Sequence, residues 1–149
     1  MFADRETAAR DACAPLHRWA EGGASGSAAL ARALREAVEG YLEFLLARPS
    51  FVALLLREEL DGGSRLSAVQ RDSLAIEEAF AAVRSVAKER GLERFDTRQA
   101  VLVFVSLTFS PVAQRATFMA ALEVDLADPG ARRRHVKLVV DQLLRLTGA

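Results

Sequence analysis

The chain has 149 residues, room for one domain of ordinary size. Hydrophobic residues make up 51%, enough for a sizeable core and evidence against intrinsic disorder. Lys plus Arg total 20 and Asp plus Glu total 20, and that zero net charge argues against a nucleic-acid-binding domain, which needs a basic excess. A single cysteine, Cys13, cannot form an internal disulfide or a zinc site of its own, so a reducing compartment is expected. No signal peptide opens the chain, and the longest mainly apolar run, Ala100 to Phe109, is too short to span a bilayer. These features predict a soluble, cytoplasmic domain.

Ala, Leu, Arg and Glu dominate, and Asn is absent, so the composition favours helices over hairpins. The first predicted helix runs from about Ala3 to Ala20, with Phe2, Ala9, Cys13, Leu16 and Trp19 at helical spacing. Pro15 is expected to kink or break it. After the connector of residues 21–27, a second helix runs from Ser27, read as its N-cap, to Ala47. Leu30, Leu34, Val38, Leu42 and Leu45 form its apolar stripe, with Tyr41 and Phe44 beside it. Pro49 opens a short third helix, Phe51 to Leu60, which Asp61-Gly62-Gly63-Ser64 closes.

Ser67 and Gln70 fit a capping box for a fourth helix, which carries Ile76, Phe80, Val83 and Ala87 and stops at Gly91. Asp96 and Gln99 repeat that capping logic for a fifth. Its stretch from Ala100 to Phe109 is apolar nearly all round and should be covered from at least two directions. Ser110-Pro111 reads as a kink or a fresh N-terminus leading into residues 113–124. Asp128-Pro129-Gly130 breaks the chain before a last helix, Ala131 to Leu146, with Val136, Val139, Val140, Leu143 and Leu144. The fold class is all-α, a bundle of six to seven helices.

Signatures of catalysis and metal binding are missing. There is no phosphate loop, nucleophile elbow, paired-His motif or Glu-x-x-His, so no enzyme and no cofactor is expected. His17 and His135 read as partly exposed structural residues, and Cys13 as a small core residue. Glu58, in an acidic cluster at a helix C-terminus, is electrostatically misplaced and stays a candidate anchor. Arg132-Arg133-Arg134 has the mirror problem, and pairing with Glu123 or Asp125 is the expected remedy. Phe44, Phe51, Phe80, Phe104, Phe109 and Phe118 lie on five segments and belong either to the core or to an aromatic-walled pocket.

Three stretches together resemble the effector-binding domain of TetR-family transcriptional regulators. They are Tyr41-Leu42-Glu43-Phe44-Leu45-Leu46-Ala47-Arg48-Pro49 running on to Arg57-Glu58, then Asp96 to Val124 with its Pro kink and Phe118-Met119-Ala120-Ala121-Leu122, and then Asp128 to Gly148. The last departs from the family's usual Leu-x-x-Gly ending, since Leu146-Thr147-Gly148 is one residue tighter.

The resemblance implies that residues 1–20 are the linking helix and residues 28–149 the effector-binding and dimerisation domain. A DNA-binding head of about fifty residues precedes this region in the family, and no helix-turn-helix pattern stands ahead of residue 20. It also implies a homodimer through the last two long helices, with Val103, Ser106, Ser110, Val136, Val140 and Leu143 in the seam. Val140→Asp is then expected to give monomers or aggregates. A small apolar or amphipathic effector would be held by Phe44, Leu55, Phe80, Phe104, Leu107 and Phe118, with Glu58 or Thr108 as anchors. DNA would be reached through the absent head alone, and no membrane partner is implied. The alternative is a naturally headless interaction protein that pairs with a regulator or another helical partner.

Overall fold

The computed structural model describes residues 2–22, 26–63, 74–91 and 96–147. Among these residues there are six α-helices, one π-helical turn and no strand. The helices are α1 (Phe2–Glu21), α2 (Ser27–Leu46), α3 (Pro49–Leu60), α4 (Leu74–Glu89), α5 (Thr97–Ala113) and α6 (Pro129–Leu146), with the π turn at Arg115–Met119. Helix α2 is the hub. It packs against α1, α3, α5 and α6, while α4 lies across α1 and α5.

The stripe on α2 sits where its spacing requires, with Leu30, Val38, Leu42 and Leu45 fully enclosed and Leu34 buried. Around them gather Leu16 and Trp19 of α1, Ala82 and Val86 of α4, and Val136, Val139, Val140 and Leu143 of α6. A second, smaller cluster holds Phe44, Leu45, Phe51 and Val52 where α3 meets α2 and α5. The Phe44 and Phe51 rings meet edge to face at 5.4 Å.

Helix ends follow local chemistry. Asp96 caps α5 by accepting from the amides of Arg98 and Gln99 at 3.0 and 3.1 Å. Asp128 caps α6 by accepting from Ala131 N–H at 2.7 Å, so that helix starts at Pro129, two residues before Ala131. Helix α3 closes with a Schellman motif, in which Gly63 N–H donates to Glu58 C=O and Gly62 N–H to Glu59 C=O. Gly62 and Gly63 have φ of +84° and +69°, a region that side chains disfavour. For α2 the N-cap is Gly26, without a side-chain bond, and Ser27 is the first helical residue. The capping pair Ser67 and Gln70 lies outside the described residues, as does the side chain of Ile76.

Two prolines lie inside helices rather than ending them. Pro15 does not interrupt α1, whose buried residues Ala12, Leu16 and Trp19 are held along its length by α2 and α4. Pro111 also lies inside a helix, and α5 continues to Ala113 before the π turn begins. The reason is visible on α6. A proline has no N–H, so Pro111 cannot bond the carbonyl four residues back, that of Leu107. His135 Nε2 lies 2.8 Å from that carbonyl oxygen. Because a carbonyl only accepts, Nε2 carries the proton and donates it, which fixes the tautomer of the half-buried ring. Helix α6 thus supplies the donor that α5 lacks.

Truncation His135→Ala should leave the Leu107 carbonyl without this donor and cost about 1–3 kcal/mol in urea unfolding. Adding Pro111→Ala restores an amide at the right place, so the double variant should be more stable than His135→Ala alone. Strictly additive effects in this cycle would contradict the link.

Candidate functional site

Five long helices converge on a cavity of about 70 Å³, almost wholly apolar. Its walls are Cys13 from α1, Leu34 from α2, and Ala79, Val83 and Val86 from α4. Helix α5 adds Ala100, Val101 and Phe104, and α6 adds Leu143 and Leu146, with Thr147 just past its end. The void exists because two helices present alanine to the junction. Ala79 and Ala100 face it with one methyl each, where a leucine would fill the gap.

Size decides what the cavity can hold in this arrangement. An engineered protein cavity of about 150 Å³ takes a benzene ring, and this one has about half that volume. A larger occupant either protrudes from the cavity's open side or moves its walls, and three of those walls belong to α1, α5 and α6.

Polar groups on the wall are few. The Thr147 hydroxyl is 2.8 Å from the Leu144 carbonyl and donates to it. The Cys13 thiol is pushed up from its ordinary 9.0 to about 11, first by burial and second by the Glu78 carboxylate. It is therefore a neutral S–H at physiological pH and a poor nucleophile. Beside it, one turn along α1, His17 Nε2 stands 3.4 Å from the Glu78 carboxylate. That is ion-pair distance, but the alignment of a hydrogen bond is missing, since Nε2 is buried without a hydrogen-bond partner.

Of the eight residues expected to hold an effector, Phe104 lines this cavity. Its ring also rests on Tyr41 at 5.5 Å. Phe44 is buried in the second cluster, stacked on Tyr41 at 6.2 Å and covered by the Arg48 guanidinium at 4.5 Å, and Leu55 packs against that same cluster. Leu107 packs on the main core. Thr108 is fully buried with its hydroxyl donating to Phe104 C=O at 2.7 Å, so it is engaged within its own helix. Glu58 is buried at the end of α3, away from the cavity lining. Phe80 lies in an open groove with Glu77, Glu78, Ala81 and Arg84. Phe118, on the π turn, is 60% exposed.

The outer side of α5 and α6 carries a second feature. Leu102, Val103, Ser106 and Leu107 face Leu138 and Gln142 across an open groove, and Leu102 and Leu138 are 56% and 51% exposed. Helix α5 is therefore covered on one side within the chain and bare on the other. Of the residues expected in a shared seam, Val103 and Ser106 line this groove and Ser110 is half-buried nearby in sequence. Val136, Val140 and Leu143 instead lie in the chain's own core. Val140→Asp would put a charge into that core, so it reads folding rather than assembly.

The arginine triplet at the start of α6 also differs from expectation. Asp125 pairs with Arg115 at 3.2 Å, and among the described residues none of Arg132, Arg133 and Arg134 has an ion pair. No group of His, Cys, Asp and Glu side chains suited to a metal occurs among the described residues. No described helix is long and apolar enough to cross a membrane.

A comparison with family models matches residues 31–143 to the tetracyclin repressor-like, C-terminal domain. The chain belongs to this family. The matched span begins in α2 and ends near the last turn of α6, so it covers the second core cluster, the buried members of the main one except Leu16, Trp19 and Leu30, and every wall of the cavity except Cys13, Leu146 and Thr147. Neither the comparison with curated proteins nor that with solved structures gave a match.

The half-buried Cys13 thiol makes a pH prediction for this member of the family. Between pH 9 and 11 the unfolded chain loses the Cys13 proton while the folded chain keeps it. Stability from this source is complete below the unfolded value and is lost as pH rises through that window. Wild type should therefore lose more stability than Cys13→Val between those pH values, as read by urea midpoints. A constant difference between the two proteins would contradict the assignment.

Proposed function

We propose that this chain is the ligand-binding and dimerisation body of a transcriptional regulator. On this reading residues 1–20 form the linking helix and residues 28–149 the body, which acts in the cytoplasm on DNA through a reader head outside these residues. The observation that carries the proposal is the cavity, because Cys13 of α1 and residues of both α5 and α6 share its walls. An effector there touches the linking helix and the assembly helices at once.

The cavity is too small to enclose a drug-sized ligand in this arrangement, so enclosing one moves its walls. An effector that fits only the expanded arrangement shifts the population toward it, by as much as its two affinities differ. With Cys13 in the wall, expansion displaces α1. The wall offers a neutral thiol and an engaged hydroxyl, a set that suits binding rather than catalysis.

A homodimer is the second part of the proposal. The groove lined by Leu102, Ser106, Leu138 and Gln142 continues along two antiparallel helices and leaves large apolar side chains uncovered. A second copy of α5 and α6 would close it as a four-helix seam. A different helical partner on the same groove is the alternative reading.

Sedimentation of the 149-residue chain tests this. Wild type should run as a dimer. Leu138→Asp, which sets a charge against its symmetry mate, should weaken the dimer by roughly a hundredfold or more and retain helical content. A wild-type monomer, or an unchanged dimer in the variant, would contradict the seam.

A further inference from the structure

We infer that the molecule admitted by the five-helix cavity is small and uncharged, a hydrocarbon body with at most one hydrogen-bonding group, which the Cys13 thiol meets. The inference rests on reading the cavity as the effector site and specifies what that site selects. Nine of the eleven wall residues present only hydrocarbon or ring carbon to the cavity. The Thr147 hydroxyl is engaged with Leu144 C=O, and the backbone N–H groups of the walls bond within their helices or, for Thr147, to Leu143 and Leu144 C=O. An S–H on Cys13 is thus the single polar hydrogen on the wall with no partner among the described residues.

The nearest titratable side chains do not offer themselves to a ligand. Glu78 and His17 face each other at 3.4 Å, and both side chains are about a third exposed. A carboxylate or ammonium entering the cavity would lose its hydration with no opposite charge on the wall to replace it. Glu58 and Thr108, the anchors suggested by the sequence, line no part of the cavity. Burial keeps the thiol protonated up to about pH 11, so it meets an occupant as a weak neutral donor.

A narrow chain can enter where the walls part, and Leu146, 42% exposed, is the most exposed side chain among them. Pentan-1-ol, pentanoate and pentylammonium share one chain and differ only in their head group.

The test is a titration of the 149-residue chain with each of the three at pH 7, read by methyl chemical shifts of Val83, Val86 and Leu143. The alcohol should give saturable shifts and the two ions binding at least tenfold weaker. Ala79→Leu fills the void from α4 and should abolish the alcohol's effect, and Cys13→Leu should do the same from α1 if the first variant folds poorly. Equal binding of all three, lost on filling, would overturn the charge selection while leaving the cavity a ligand site. No alcohol shifts at the wall, or shifts unaffected by both filling variants, would overturn the inference and the cavity's role together.

Discussion

One hydrogen bond between α5 and α6 sets the register on which both the cavity and the outer groove depend. Pro111 removes the amide that would satisfy the Leu107 carbonyl, and His135 of α6 donates to it at 2.8 Å. A ring nitrogen and a carbonyl at that distance leave little freedom in how far α6 slides along α5. With that register set, the inner faces of the pair present Phe104 and Leu143 to the cavity. Their outer faces align Leu102 and Ser106 with Leu138 and Gln142. The cavity and the bare groove therefore sit back to back on the same two helices.

The cavity is a concession in stability. Apolar wall left unpacked there forgoes contacts that a filled core would make. Leucine at Ala79 or Ala100 would recover part of them. A fold that keeps alanines at the junction of five helices has retained room there. The surrounding core shows no general looseness, since Leu30, Val38, Leu42 and Val139 beside it are fully enclosed.

Much of the fold was legible in the sequence because it is decided locally. The α2 stripe, the Asp96 cap and the stop at Gly62-Gly63 each depend on residues within a turn or two of one another. The continuity of α5 depends on His135, 24 positions beyond Pro111 in sequence, and no local rule reports such a donor. Aromatic side chains suggested a pocket, yet large residues fill space and small ones leave it. The informative positions were Ala79 and Ala100. Helix α6 misled for a related reason. Its most apolar face, Val136, Val140 and Leu143, is needed by its own core, and the narrower flank with Leu138 is the one left bare. Periodicity identifies a buried face without naming what buries it.

The central proposal is that this body, whose family is tetracyclin repressor-like, serves a regulator that grips DNA. Crosslinking and capturing the protein from its native cells, with sequencing of the recovered DNA, tests that most directly. The account predicts enrichment at a few discrete sites, carried by a protein longer than 149 residues. Recovery of a protein of 149 residues with no enriched DNA would contradict it, and would turn attention to what else binds along Leu102 and Leu138.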